Sequence, residues 1–416
     1  MKRFVHQWGV GVGLLLGSML LYAAPASLSI QEALGQLRET GALMLNAQQE
    51  PLVEKDPSKL RVPASTTKLV TAYLALKHWG AGYRFKTDFY VTRNASDLTT
   101  LCVKGYGDPF LVSEEIQKMA RRLALQLKEV GVGEIDNIIL DTGYFESNVV
   151  LPGRSNTDNP YDAIPGALAA NFNTLYLKKR NGKLVSAESQ TPLTPLAIEL
   201  GKQANLRHGR FNLGGDARMG ERYFAELLSA FLQQSGVQVK NEVQWRSLKD
   251  SAVLNGESPF YRHQNTLTLA EMIRPMMQYS TNFIANQLAL KLSAEKFGPP
   301  ASAEKVKRMM KADLTHYLGW QDFYLEDGAG LSHQNRLSPQ QLVLLLQAFR
   351  PWKSLLPEVE DHIFAKSGTL IGVSALAGYI YQQEQWLPFA LMINQPVPFA
   401  YKNQLALKLK QQLENR

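Results

Sequence analysis

The stretch Pro63-Ala-Ser-Thr-Thr-Lys-Leu-Val-Thr-Ala-Tyr-Leu-Ala-Leu76 decides how this chain is organised. From Leu69 to Leu76 it is nearly all apolar and carries no charge, which is typical of a helix buried inside a domain. Pro63 stands just before it, at a position where helices begin. The pattern predicts a buried helix with Ser65 at its N-terminal end and Lys68 one turn later, on the same face.

This pair has the elements of a nucleophilic site. A serine hydroxyl is a weak nucleophile until a base takes its proton, and a partly desolvated lysine of lowered pKa can be that base. The spacing alone is not decisive, because Ser293-Ala-Glu-Lys296 and Ser302-Ala-Glu-Lys305 repeat it. Both lie in polar sequence rich in Ala, Glu and Lys, for which we expect solvated helix surface.

A second motif, Tyr279-Ser280-Thr281-Asn282, is the only S-x-N in the chain, and an apolar helical run follows it. The Ser280 hydroxyl and the Asn282 amide, two residues apart at a helix start or loop, can point together into a cleft. The hydroxyl could relay a proton and the amide could hold a substrate carbonyl. The alternative is ordinary helix capping, for which Ser and Asn are common.

A third motif, Lys366-Ser367-Gly368-Thr369, lies within a predicted strand. Gly368 would allow another backbone to approach closely, while Lys366 and Ser367 could bind a carboxylate. A backbone N–H of this strand could stabilise an oxyanion.

Taken in this order, the three motifs resemble the S-x-x-K, S-D-N and K-T-G set of penicillin-binding proteins and class A β-lactamases. The chain is most similar to the low-molecular-mass, class C D-alanyl-D-alanine carboxypeptidase/endopeptidase family, which carries an insertion after the S-x-x-K helix. Further matches extend the resemblance from about residue 42 to residue 392. They are Gly105-Tyr-Gly-Asp-Pro109, Asp327-Gly-Ala-Gly-Leu-Ser332, Asn335-Arg-Leu-Ser-Pro339 and Lys366-Ser-Gly-Thr-Leu-Ile-Gly-Val-Ser-Ala-Leu-Ala-Gly-Tyr379.

The sequence departs from the family pattern in three places. Ser367 replaces the usual Thr and keeps the hydroxyl, so activity should be kept. Thr281 replaces the usual Asp, which would weaken a scaffold contact. The insertion looks shorter than usual, so a small third domain, placed at 180–213, is expected to be reduced or missing, which puts in doubt any role it has in docking polymer or partners.

The resemblance implies an α/β (α+β) fold with a β-lactamase/transpeptidase-like catalytic domain, in which helices cover an antiparallel sheet. Alternating helix and strand patterns predict the same division. Residues 27–86 and 262–416 would form the catalytic domain, and residues 87–261 would form an inserted mixed α/β domain. The polar stretch 178–215 could be a small subdomain or a long exposed loop.

The resemblance also implies the site roles. Ser65 would attack the carbonyl between two D-alanines, Lys68 would be the base, and Ser280 would pass a proton to the leaving amine. Asn282 would hold the substrate backbone. Cleavage of a cross-linked peptide by the same chemistry would be endopeptidase action.

The strand motif would bind the other end of the substrate. Lys366 and Ser367 would bind the terminal carboxylate, and Gly368 would let the peptide lie close. The backbone N–H groups of Ser65 and Thr369 would form the oxyanion hole. The implied partners are peptidoglycan peptides, with β-lactams as covalent inhibitors of Ser65, and no cofactor is implied.

The N-terminus predicts export. Lys2 and Arg3 precede an apolar run from Val10, and Ala24-Pro25-Ala26 offers a cleavage site, so residues 1–26 are typical of a signal peptide. The alternative, an uncleaved anchor, is disfavoured because the run is short for a membrane span. We therefore expect a periplasmic protein with no stable transmembrane anchor.

Composition and motifs disfavour several other classes. The chain has 416 residues, a net charge of +8 and one cysteine, so an intrachain disulfide is impossible. The positive charge is spread along the sequence, which does not indicate nucleic-acid binding. The seven histidines form neither H-E-x-x-H nor another close pair, so no metal site is predicted.

Two functional alternatives remain open on the sequence. A β-lactamase would share the fold and the acyl-enzyme, but the long insertion argues against it. A non-catalytic wall-binding protein would have no need for the intact motif residues. The C-terminal helix, with leucines at 405, 407, 409 and 413, could be an amphipathic anchor, but packing on the sheet is the preferred interpretation.

Overall fold

The computed structural model describes residues 28–203, 208–247 and 258–414. The predicted signal peptide, residues 1–26, lies outside these ranges. The helices are α1 (Ile30–Gly35), α2 (Thr67–Trp79), α3 (Ser113–Glu129), α4 (Pro195–Gln203), α5 (Ala217–Gln234), α6 (Leu269–Tyr279), α7 (Asn282–Phe297), α8 (Ala303–Leu318), α9 (Pro339–Phe349) and α10 (Tyr401–Glu414). The strands are β1 (Thr40–Leu45), β2 (Pro51–Lys55), β3 (Lys86–Arg93), β4 (Thr99–Lys104), β5 (Glu134–Asp141), β6 (Thr174–Arg180), β7 (Lys183–Ser186), β8 (His208–Asn212), β9 (Gln238–Trp245), β10 (Tyr261–Gln264), β11 (Glu358–Glu360), β12 (Ile363–Leu370), β13 (Val373–Gln382) and β14 (Gln385–Ile393).

A six-stranded antiparallel sheet, in the order β11-β12-β13-β14-β1-β2, unites the two ends of the chain. The pairing that joins the two ends of the chain places Thr40 of β1 opposite Ile393 of β14. Successive strand residues point to opposite faces, and both faces are covered: Met44 packs with the α1 and α10 side, and Leu43 with the α2 and α9 side. The predicted fold class, an antiparallel sheet covered by helices, is confirmed.

The C-terminal helix α10 is part of this core. Leu405 and Leu409 are buried with Ile30 of α1 and Phe389 of β14. Its apolar face is therefore occupied by the sheet, as the preferred interpretation expected. Within the described ranges, no helix combines the length and apolar character needed to cross a bilayer.

A second, mixed sheet has the order β10-β3-β4-β5-β9. Strand β5 pairs parallel with both β4 and β9, whereas β3 pairs antiparallel with both β4 and β10. Helices α3 and α5 supply much of its separate core, with Met119 and Phe224 fully buried. Cys102 of β4 is buried, as expected for a strand residue.

The polar stretch 178–215 contains regular structure. Strands β7, β6 and β8 form a three-stranded antiparallel sheet, and Leu196 of α4 packs into the core of the second sheet. Because the chain enters that core through β3 and leaves it through β10, we propose that it forms a domain inserted into the first, with this small sheet as its reduced subdomain.

The second and third occurrences of the S-x-x-K spacing lie beyond a break between two helices. Ser280 separates α6 from α7 and adopts the left-handed conformation with φ of +56°. The expectation of solvated helix surface at the Ser293 occurrence needs correction. Ser293 is buried, and its hydroxyl donates to the carbonyl of Leu290, so this S-x-x-K repeat is not simply solvated surface. Ser302 caps α8 by accepting from the Lys305 N–H.

Candidate active site

Ser65 lies on a short 3₁₀ turn, Ala64–Thr66, and the α-helix begins only at Thr67. The helix bearing the serine was therefore predicted slightly too long at its N-terminus. The preceding residue, Ala64, has a left-handed φ of +48°, which is strained for a residue with a Cβ. Ser65 is partly exposed, whereas Lys68 in the first turn of α2 is 0% exposed.

The side-chain nitrogen of Lys68 brings three parts of the chain together. Nζ lies 2.9 Å from Ser65 Oγ, 2.8 Å from Asn282 Oδ1 and 2.8 Å from the carbonyl oxygen of Ala329. An amide oxygen and a carbonyl oxygen can only accept hydrogen bonds, but a hydroxyl can also donate. A neutral Lys68 would satisfy all three contacts by donating to Asn282 and Ala329 and accepting the Ser65 proton.

The surroundings favour this neutral form. Burial lowers the pKa of Lys68 well below its usual range, and the nearby positive charge of Lys366 lowers it further. The negative charge of Asp327 opposes the shift to a smaller extent. The lowered pKa favours the amine form of Lys68 next to the hydroxyl whose proton it would accept.

Of the second motif, Asn282 bonds to Lys68, whereas Ser280 lies in the connection that precedes it. Asn282 is the first residue of α7, and its Nδ2 donates to the carbonyl of Tyr161 at 3.2 Å, so the segment that carries Tyr161 borders the site. Ser280 occupies the sharp connection between α6 and α7 and is partly exposed. Within the described ranges, no hydrogen bond joins Ser280 to Ser65 or Lys68.

Strand β12 carries the third motif alongside the serine turn. A Cβ added to Gly368 would lie 2.9 Å from both Pro63 O and Ser65 N, so glycine permits this close approach. Lys366 is 1% exposed, and its Nζ donates to the carbonyl of Ser367 at 2.7 Å. Burial and the positive charge of Lys402 lower the pKa of Lys366 to about 7.

The loop from Asp327 to Ser332 fixes the far side of Lys68. Asp327 is fully buried and accepts from the backbone N–H groups of residues 329, 330, 331 and 332 and from Asn335 Nδ2. Gly330 has a φ of +79°, and a Cβ there would lie 1.9 Å from Ala64 O. The loop therefore contacts the turn that carries Ser65.

A group of possible metal ligands lies elsewhere in the described ranges. Glu358, Asp361 and His362 have ligand atoms within 4.8 Å of one another, and all three are exposed. Asp361 is in an ion pair with Lys410 at 2.6 Å. This surface group contributes nothing to the Ser65 site.

Sequence reasoning missed Lys402. It lies in the first turn of α10, is 2% exposed, and donates to Thr369 Oγ1 at 2.6 Å. The sequence predicts that a lysine at the start of a leucine-containing helix lies on the surface. Lys402 reaches the third motif only because α10 packs on the sheet. No local signal in the sequence identifies it.

The fold places the chain in a structural class. It superposes on penicillin-binding protein 4 of Haemophilus influenzae with a TM-score of 0.71 and 19% identity, covering 93% of this chain and 99% of the other. The same Haemophilus protein is also known in complex with a β-lactam. The architecture is therefore that of a low-molecular-mass, class C penicillin-binding protein.

The chain belongs to the D-Ala-D-Ala carboxypeptidase 3 (S13) family, whose model matches residues 26–208 and 210–357. It is similar to the D-alanyl-D-alanine carboxypeptidase of Actinomadura sp. strain R39, with 25% identity over 86% of this chain and 79% of the relative. It is also similar to the D-alanyl-D-alanine carboxypeptidase of Haemophilus influenzae, with 22% identity over 88% of each chain. The protein is accordingly a serine-type hydrolase of this carboxypeptidase family.

Proposed function

We propose that this protein is exported to the periplasm and cleaves the D-alanyl-D-alanine bond of peptidoglycan stem peptides through an acyl-enzyme on Ser65. The observation that carries the proposal is the contact of 2.9 Å between Ser65 Oγ and a buried Lys68 Nζ. A hydroxyl within hydrogen-bond distance of a desolvated amine has the base that nucleophilic attack requires.

Acylation begins when Lys68 takes the Ser65 proton and Oγ attacks the carbonyl carbon of the penultimate D-alanine. The negative charge that develops on the carbonyl oxygen is held by the N–H groups of Ser65 and Thr369. The C–N bond then breaks, and the proton passes through Ser280 to the leaving amine. Water later adds to the acyl-enzyme and releases Ser65 together with the shortened peptide.

The remaining motif residues bind the substrate. Lys366 and Ser367 hold the terminal carboxylate, Gly368 admits the peptide beside β12, and Asn282 orients the acyl part. Asn282 also accepts from Lys68 at 2.8 Å, so one side chain would position both the base and the substrate. β-Lactams, as mimics of the same dipeptide, would acylate Ser65 and inhibit the enzyme.

The test is incubation of the protein without residues 1–26, and of its Ser65→Ala variant, with fluorescent penicillin and with cross-linked and uncross-linked muropeptides. We expect covalent labelling and product release from the unmodified protein and neither from the variant. The ratio of the two muropeptide products measures the balance of carboxypeptidase and endopeptidase action. Absence of labelling would refute the proposal, and rapid turnover of nitrocefin would indicate a β-lactamase instead.

The pH dependence should show two opposing lysine requirements. Lys68 must be neutral to act as base, so activity rises with pH at the acid side. Lys366 must be charged to bind a carboxylate, and a lysine is charged below its pKa, which is about 7 here. We expect kcat/KM, which reports the free enzyme, to fall as pH rises through about 7 for a carboxylate-bearing substrate.

The comparison that checks this prediction is a substrate whose terminal carboxylate is replaced by a carboxamide. Its kcat/KM should lack the fall near pH 7, because no charge on Lys366 is needed. A fall of equal size for both substrates would assign the alkaline limb to another group.

A further inference from the structure

Lys402 is a buried cation at the back of the third motif. Its Nζ donates to Thr369 Oγ1 at 2.6 Å and lies 3.4 Å from the carbonyl oxygen of Gly368. The ring of Phe399 covers it with a centroid distance of 4.7 Å. All these partners are neutral, and burial lowers the pKa of Lys402 to about 8.

A buried ammonium with neutral partners is unusual, because desolvation of a charge is costly unless an opposite charge compensates it. Lys291 of the same protein shows the ordinary solution, an ion pair with Glu295 at 2.8 Å. Lys366 is in the same situation as Lys402, since its hydrogen bond goes to a backbone carbonyl. Two buried lysines without an acidic hydrogen-bond partner among the described residues therefore lie at the third motif of β12, Lys366 within it and Lys402 beside it. Two uncompensated positive charges favour the binding of an anion there.

The hydroxyl groups of Thr369 in β12 and Ser374 in β13 could donate hydrogen bonds to such an anion. Because Thr369 Oγ1 accepts from Lys402, its own proton is left to donate in another direction. Ser374 lies directly opposite Thr369 in the β12–β13 register, which places the two side chains on one face of the sheet. Ser374 is 5% exposed, and its Oγ has no hydrogen-bond partner in the part of the chain that the structure describes.

We infer that Lys402 is a positioning residue for recognition of the substrate's terminal carboxylate. It holds the Thr369 hydroxyl as an acceptor, so that the Thr369 proton is directed to the carboxylate, and it adds a second positive charge behind Lys366. This inference rests on the proposed function, and it extends the carboxylate site to the C-terminal helix α10.

The experiment uses two thioesters of an N-acyl-D-alanine, one with thioglycolic acid as leaving group and one with thioglycolamide. They differ only in the carboxylate. We expect Lys402→Gln to lower kcat/KM for the acid by about 10- to 100-fold, the range of a lost charge-assisted interaction. The amide should change by less than about threefold on the same grounds, and Lys402→Arg should recover much of the activity on the acid.

The matched control is Lys410→Gln, which removes a positive charge from the same helix at a residue paired with Asp361 on the surface. It should leave both thioesters unaffected. A second arm repeats Lys402→Gln in a Thr369→Val background. If Lys402 acts partly through the hydroxyl, its effect on the acid should be smaller there than in the unmodified protein.

Three outcomes would overturn the inference. The first is an equal fall in kcat/KM for the acid and the amide thioester, which would indicate a merely structural role. The second is no fall for either thioester. The third is an effect of Lys402→Gln that is fully additive with that of Thr369→Val and is no larger for the acid than for the amide. Failure of the proposed function looks different, because the unmodified protein would then hydrolyse neither thioester and would not be labelled by penicillin.

Discussion

Replacing Lys68 by methionine is expected to slow acylation of Ser65 by about 10³-fold, within the range attributed to general acid–base catalysis. The amine is the group within hydrogen-bond distance of Ser65 Oγ that can accept a proton, and its pKa is lowered well below the usual value for this purpose. Methionine matches the length of the buried chain but has no basic atom. The rate of fluorescent-penicillin labelling, followed over time, measures the effect.

Two further variants separate loss of the base from loss of structure. Lys68→Arg keeps a positive charge but cannot be deprotonated, so it should be as inactive as the methionine variant. Lys77→Met, at the exposed C-terminal end of the same helix, should label at the normal rate. Rapid labelling of Lys68→Met with an unchanged melting temperature would show that another group activates Ser65.

The Ser65–Lys68 pair was predictable because its geometry is local. A spacing of three in a helical segment fixes the two side chains on one face whatever the rest of the chain does. The same spacing at Ser302 produces only a helix cap. What distinguishes Ser65–Lys68 from the Ser302 occurrence is the apolar run after Lys68. That run predicts a buried helix, and burial lowers the pKa of a lysine.

For segments far apart in the sequence, the motifs predicted which residues share the site but not which atoms bond to each other. The resemblance named Asn282 and Lys366 as site residues, but the direct bond from Lys68 to Asn282 spans 214 positions. The carbonyl of Ala329, which also binds Lys68, is invisible to motif reasoning because every residue has a carbonyl. Its position depends on the shape of a loop.

Lys402 marks the limit of sequence reasoning in this protein. Its neighbours in the chain give a helix with apolar positions, for which a lysine is expected to point to solvent. Lys402 reaches Thr369 because α10 packs on one face of the sheet that contains β12 and β13. That packing is set by the whole core of α1, α10 and the sheet, which includes Ile30, Leu376 and Leu405.

The loop that places Ala329 depends on one carboxylate, and Asp327→Ala is expected to destabilise the protein by about 3–5 kcal/mol. Asp327 accepts four backbone N–H groups and one side-chain amide, all from residues within eight positions. Each buried donor left without a partner costs about 1–3 kcal/mol, partly relieved by entering water. Denaturant unfolding of the variant and the unmodified protein measures the difference.

A milder variant tests whether this carboxylate also serves the site. In Asp327→Asn one oxygen remains for the N–H groups of Ala329, Gly330 and Leu331, while the new NH₂ faces the donors of Ser332 and Asn335. We expect intermediate stability and slower penicillin labelling, since the Ala329 carbonyl would be less well held against Lys68. The exposed Asp322→Ala variant should match the unmodified protein in both measurements. If Asp327→Ala lost stability but kept its labelling rate, Lys68 would not depend on the loop, and the bond to Ala329 would be a structural contact only.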